Sequence, residues 1–180
     1  VTGMTIVPQF FKLDPAPRMV DIFARLRGLD HPVFLDSSLA GPKLGRYSYL
    51  TADPFLVLRS KGRQVQIESR GKTHRQESNP FVVLQDLLKG YSLAPVQGLP
   101  PFQGGAAGYL AYELAHHLET LPRNAADDLG LPEMNIALYD WVIASDSATN
   151  SAWAIATGLP EGTEREAQKR LRWIEEYLDQ

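Results

Sequence analysis

Ile136-Ala137-Leu138-Tyr139-Asp140-Trp141-Val142-Ile143 leads into a turn-forming cluster at residues 146–150, and Ala152-Trp153-Ala154-Ile155-Ala156 returns from it. Branched and aromatic residues fill both arms, and Asp, Ser and Asn fill the link. The stretch therefore reads as two strands of an antiparallel hairpin. Working outward, a second hairpin has the same grammar. Phe55-Leu56-Val57-Leu58 passes through Lys61-Gly62-Arg63 into Val65-Gln66-Ile67, which alternates with period two. Residues 32–36 form a short apolar run. Residues 104–112 read as a glycine-rich strand, where glycine permits a bulge or the close approach of another backbone.

Three helices are predicted between these strands. Asp14 is placed to cap the first, with Pro15 where no donor is needed. Met19, Phe23 and Leu26 then recur at helical spacing, and Gly28 offers a stop. The second opens at Asn79-Pro80, carries Phe81, Leu84 and Leu88 on one side, and ends at Gly90. The third opens on a capping box of Thr163 and Glu166. Ala167, Leu171, Ile174 and Leu178 line one face of it, widened by Trp173 and Tyr177. Hairpins interspersed with a few helices, without regular strand–helix–strand alternation, predict an α+β fold. A mainly antiparallel sheet would be layered with helices in a single domain over 1–180. Residues 92–103 and 122–132 read as long loops.

Composition narrows the function classes. The 180 residues carry a formal net charge of −3, no cysteine, 44% hydrophobic and 22% charged residues. These are globular values, and they argue against a nucleic-acid binder, which would show a basic face. The densest basic patch, Arg59 to Arg63 with Arg70 and Lys72, reads as a solvated hairpin. Lack of cysteine excludes disulfides and thiolate metal sites. No apolar run approaches the roughly 20 residues that span a bilayer, and the start has no signal-peptide pattern. A cytoplasmic protein with no membrane partner is expected. The Val1 start and the stop at Gln180, directly after a helix, suggest a piece of something longer.

No catalytic constellation stands out. Gly104-Gly105-x-x-Gly108 lacks the Lys-Ser/Thr of a phosphate loop and the acidic residue of a dinucleotide site, so backbone packing is the better reading. His116-His117 point about 100° apart on a helix and cannot share a metal ion; His31 and His74 are expected in unrelated loops. Ser37-Ser38 lacks a nucleophile elbow. Turn or cap chemistry fits it best, with a hydroxyl contact to a small polar ligand as an alternative. Arg46 is either a carboxylate fork or a surface arginine. Asp127-Asp128 and Glu175-Glu176 read as solvated pairs. No catalytic residue and no metal ligand is nominated.

Four ordered stretches add a resemblance. Phe34-Leu35-Asp36-Ser37 is followed by Gly45-Arg46-Tyr47-Ser48 with Ala52-Asp53-Pro54. Next comes Leu99-Pro100-Pro101-Phe102-Gln103-Gly104-Gly105 with Gly108-Tyr109 and Tyr112-Glu113. Leu131-Pro132-Glu133-Met134 with Tyr139-Asp140-Trp141 completes the set. Over roughly residues 30–145 this order resembles the N-terminal region shared by component I of anthranilate synthase and of aminodeoxychorismate synthase. The Pro-Phe-Gln-Gly-Gly and Tyr-Asp-Trp phrases favour the aminodeoxychorismate branch. Anthranilate synthases more often have Leu-Glu-Ser where this chain has Leu35-Asp36-Ser37.

The resemblance implies a parent enzyme that aminates chorismate with glutamine-derived ammonia, toward p-aminobenzoate and folate. Its partner would be a glutamine amidotransferase subunit, component II. The acids that bind Mg²⁺ and the general base would belong to a C-terminal chorismate-binding domain, whose typical phrases do not occur here. The N-terminal part would pack against that domain and contribute to an L-tryptophan pocket. By position the pocket would involve Leu35, Ser37, Leu44, Gly45, Arg46 and Tyr47. Relatives often carry Tyr-Ser where this chain has Leu44-Gly45, so a phenol and a hydroxyl are lost. The alternatives are the regulatory N-terminal region of an anthranilate synthase, and a stand-alone module that binds an aromatic amino acid or an amidotransferase.

Overall fold

The computed structural model describes residues 5–37, 45–122 and 126–179. Ten strands form two five-stranded antiparallel sheets. β1 (Gln9–Leu13), β2 (Val33–Leu35), β3 (Tyr47–Thr51), β9 (Trp141–Asp146) and β10 (Ser151–Ala156) make sheet I, in the order β1-β10-β9-β3-β2. β4 (Leu56–Lys61), β5 (Gln64–Ser69), β6 (Lys72–Glu77), β7 (Gly105–Leu110) and β8 (Met134–Tyr139) make sheet II, in the order β6-β5-β4-β8-β7.

Both predicted hairpins form, β4–β5 in register Leu58↔Ile67 and β9–β10 in register Ile143↔Ala154. One boundary differs from expectation. The run from Ile136 to Ile143 is not a single strand: Asp140 separates β8 in sheet II from β9 in sheet I. The chain crosses between sheets there, and again between Thr51 of β3 and Leu56 of β4.

Each sheet buries one face under helices. α1 (Met19–Leu26) and α3 (Glu164–Leu178) cover sheet I. Ile22, Leu26, Ala167 and Ile174 meet Leu50, Trp141, Ile143 and Ala154 there. α2 (Pro80–Lys89) covers sheet II, with Val83, Phe81 and Leu84 against Leu56, Leu58, Ile136 and Leu138. The second helix starts as predicted, and the third starts at the predicted place with the Thr163 half of its box formed, the Glu166 carboxylate pairing instead with Lys169. The Thr163 hydroxyl accepts from the Glu166 N–H at 3.3 Å, and Asn79 Oδ1 accepts from the Phe81 N–H at 2.9 Å. The first helix does not start at Asp14. It begins at Met19 after Arg18, with no side-chain cap. Pro17 explains this: the residue before a proline is driven out of the helical region, so a helix cannot run through Ala16. His116 and His117 close a 3-10 helix over Tyr112–His117. His74 lies on β6, not in a loop.

Candidate functional site

The predicted pocket residues gather where β2 ends and β3 begins. Leu35 pairs with Tyr49 across β2–β3. Strand alternation sets Tyr47 on the same face as Tyr49, and Phe102 meets the Tyr49 ring edge-on at 5.6 Å. Leu35 is 48% exposed, so this face opens to solvent at Leu35. Ser37 anchors the corner. Its N–H donates to the Ser48 hydroxyl at 3.0 Å, and its own hydroxyl donates to the Tyr47 carbonyl at 2.5 Å. The Ser48 hydroxyl donates in turn to Asp36 Oδ1 at 3.2 Å. Gly45 takes φ +71°, a left-handed turn conformation that glycine adopts without a Cβ penalty. Leu44 lies outside the described residues.

Arg46 is a carboxylate fork, and its carboxylate is internal. Nε and Nη2 donate to Asp146 Oδ1 and Oδ2 at 2.8 and 2.7 Å, and the guanidinium lies 4.9 Å from the Tyr47 ring centroid. The Ala148 N–H adds a third bond to Asp146, at 3.0 Å. The Arg46 fork is the main reason that the Asp146 carboxyl titrates at about 2, below its ordinary value. Arg46 thus ties the entry of β3 to the end of β9. The hydroxyl and N–H of Ser37 are also engaged within the chain, while Leu35 stays exposed beside half-buried Tyr47 and Tyr49.

A second arginine site was not foreseen from the sequence. Arg170 of α3 bridges both chain crossings. Nε donates to Asp140 Oδ2 at 2.9 Å and Nη1 to Asp53 Oδ2 at 3.0 Å. Asp140 is 5% exposed, and its Oδ1 has no partner among the described residues. Burial is the leading influence on this carboxyl and raises its pKa, against the opposing pull of Arg170. The Asp140 carbonyl accepts from the Thr157 N–H at 2.7 Å and from its hydroxyl at 3.0 Å. Asp53 and Asp140 sit in two of the family-like phrases, so these phrases build the place where the chain changes sheets.

The glycine-rich phrase is structural as well. Buried Gln103 accepts from the Val96 N–H through Oε1 at 2.8 Å and donates from Nε2 to the Val96 carbonyl at 2.9 Å, shaping the loop that carries Phe102. A Cβ on Gly108 would lie 2.0 Å from the Asn135 carbonyl oxygen of β8. Close backbone approach, not phosphate binding, thus accounts for that glycine. Beside it a shallow cleft of about 220 Å³ lies between His31, Val33, Ala107, Asn135 and Tyr139. The Tyr139 hydroxyl donates to the His31 carbonyl at 2.8 Å. Among the described residues, no three His, Asp or Glu side chains converge as metal ligands would, and no helix is long and apolar enough to cross a membrane.

No family model matches the chain. Individual proteins do. It is 34% identical to anthranilate synthase component 1 of Acetivibrio thermocellus over 128 residues, covering 71% of this chain and 26% of that protein. It is 32% identical to aminodeoxychorismate synthase component 1 of Escherichia coli (strain K12) over 125 residues, covering 69% and 28%. With anthranilate synthase component 1 of Streptomyces coelicolor the identity is 38% over 138 residues, covering 76% and 24%. Among solved structures, anthranilate synthase component I from Streptococcus pneumoniae TIGR4 superposes with a TM-score of 0.60 at 21% identity, over 94% of this chain and 36% of that one. That likeness bears on the fold and agrees with the antiparallel α+β architecture. The chain spans about a quarter of the length of these curated relatives. It is a homologue of the component I proteins of anthranilate synthase and aminodeoxychorismate synthase, and belongs with them.

Proposed function

We propose that this chain is the N-terminal part of an aminodeoxychorismate synthase component I. The parent would aminate chorismate with glutamine-derived ammonia to 4-amino-4-deoxychorismate, for p-aminobenzoate and folate. Within it this segment is a scaffold and supplies no catalytic residue. The observation that carries the reading is the ordered set of phrases, above all Pro101-Phe102-Gln103-Gly104-Gly105 and Tyr139-Asp140-Trp141. Homology to the Escherichia coli aminodeoxychorismate protein supports it. Mg²⁺ would be bound by acids outside this segment. The partners would be a component II amidotransferase and the chorismate-binding C-terminal domain, in the cytoplasm.

The corner of Leu35, Ser37, Gly45, Arg46 and Tyr47, with Leu44, is proposed as one wall of a tryptophan pocket. Exposed Leu35 beside the Tyr47 and Tyr49 rings suits an indole. Arg46 would act by holding the β3 entry in place, not by touching the ligand.

The anthranilate reading is the second one, favoured by the 38% and 34% identities to proteins of that name. One experiment separates the two. The full-length protein carrying this segment is incubated with chorismate, ammonia and Mg²⁺, and the product is identified by mass and fluorescence. The proposal expects 4-amino-4-deoxychorismate. Anthranilate would transfer the function to the second reading, and no consumption of chorismate would remove both.

A further inference from the structure

His31 stands in the link between α1 and β2 at φ +46°, a left-handed conformation in which histidine is enriched among non-glycine residues. Its Nε2 lies 3.1 Å from Nη2 of Arg59 on β4. A guanidinium can only donate, so Nε2 accepts. The imidazole that makes this contact is therefore neutral and carries its proton on Nδ1. The other arm of Arg59, Nη1, meets Glu68 of β5 at 2.9 Å. Arg59 above all holds the Glu68 carboxyl below its ordinary value, so this carboxylate stays charged in mild acid.

The contact spans the two sheets. β2 is three residues long, lies at the edge of sheet I and pairs with β3 alone among the described residues. Its start is tied to sheet II by the His31 ring on Arg59 and by the Tyr139 hydroxyl, which donates to the His31 carbonyl at 2.8 Å. Its end carries Leu35 and runs into the Ser37 corner. Imidazoles change charge between about pH 5 and 8. A protonated ring has no lone pair for Arg59 and is a second cation beside it. The contact thus exists above the titration and is lost as pH falls through it. Glu68 then offers the ring an alternative partner, since it lies close enough for the two charges to interact. The remaining titratable groups around the ring are Tyr139 of β8, Tyr109 of β7 across the cleft, and Asp30, its chain neighbour. Burial pushes the Tyr139 phenol up to about 12, so it stays neutral throughout.

We propose that His31 is a pH-operated latch between the sheets: on gaining a proton its ring leaves Arg59, the start of β2 is freed, and the Leu35–Ser37 corner loosens. Acid then weakens whatever that corner holds. The ligand part of the inference, weaker tryptophan binding in mild acid, rests on the pocket proposed above; the latch itself does not.

The test follows amide exchange of residues 33–37 in the full-length protein carrying this segment, corrected for the intrinsic pH dependence of exchange. Protection should fall about tenfold between about pH 8 and pH 5. His31→Asn suits the left-handed backbone and does not titrate, so its protection should stay level over that range. Arg59→Gln keeps a donor without the charge and should show a clearly smaller fall than the parent. Level protection in the parent overturns the latch. A fall that survives His31→Asn also overturns it and assigns the effect to another group, such as buried Asp140, which both variants retain. Calorimetry with tryptophan on the same proteins tests the consequence. Affinity should drop about tenfold in acid for the parent and not for His31→Asn. Equal affinity at both pH values overturns the ligand part, whereas no binding at about pH 8 counts against the pocket reading and leaves the latch to be judged by exchange.

Discussion

Arg46 and Arg170 each hold a buried aspartate, yet the two aspartates respond in opposite directions. Asp146 receives both prongs of Arg46 and a backbone N–H, and its carboxyl is held down to about 2. Asp140 receives one N–H from Arg170, shares that guanidinium with Asp53, and leaves one oxygen without a partner among the described residues. Burial then prevails and its pKa rises. Hydrogen-bond count, not the presence of an arginine, decides the sign. The Arg46 site is a tether between two strands of one sheet. The Arg170 site is a clamp at the junction of two sheets.

The largest effect should come from the clamp. Arg170→Met leaves Asp140 buried without its partner, and such breakage costs about 3–5 kcal/mol. Urea unfolding should show that loss, and Asp140→Asn in the same chain should recover part of it. Equal instability of the single and double variants would break the account of Asp140 as a buried charge.

Arg46→Met should cost clearly less than Arg170→Met, because the guanidinium is partly open to water and Asp146 keeps the Ala148 N–H. A loss as large as that of Arg170→Met would erase the distinction between tether and clamp.

pH sharpens the comparison further. The Asp146 carboxyl is depressed in the folded chain, so it contributes stability above its ordinary value near 3.8 that is lost as pH falls toward 2. The raised pKa of Asp140 has the opposite sign: its contribution is present at low pH and is lost as pH rises past the ordinary carboxylate value. Relative to the parent chain, Asp146→Asn should lose about 1 kcal/mol more at pH 5 than at pH 2. Asp140→Asn should become less harmful over the same rise. Parallel pH profiles for the two variants would contradict the opposite shifts. The smallest effect is expected at Glu166→Gln, which releases an exposed Lys169 pair of about 0.5 kcal/mol or less.

What the sequence made legible was local. The β4–β5 and β9–β10 hairpins, the Asn79 and Thr163 caps and the glycine-rich β7 each depend on residues a few positions apart. The break at Asp140 was hidden because apolar residues run through it from Ile136 to Ile143, and nothing local marks a change of sheet. β6 was missed because Lys72–Glu77 is polar and exposed; it is a strand because β5 pairs with it in register Ile67↔His74. The Arg170 clamp joins residues 30 and 117 positions apart, beyond any periodicity. Tyr49 was within reach: it lies two positions after Tyr47, so alternation sets both on the pocket face.

The central claim is that this segment is scaffold, with the chorismate chemistry carried elsewhere in the parent chain. The most direct test is to incubate the purified 180-residue chain, folded by circular dichroism, with chorismate, ammonia and Mg²⁺. The account predicts no aminated product. Sustained turnover by a clean preparation, abolished by a substitution within this chain, would contradict it.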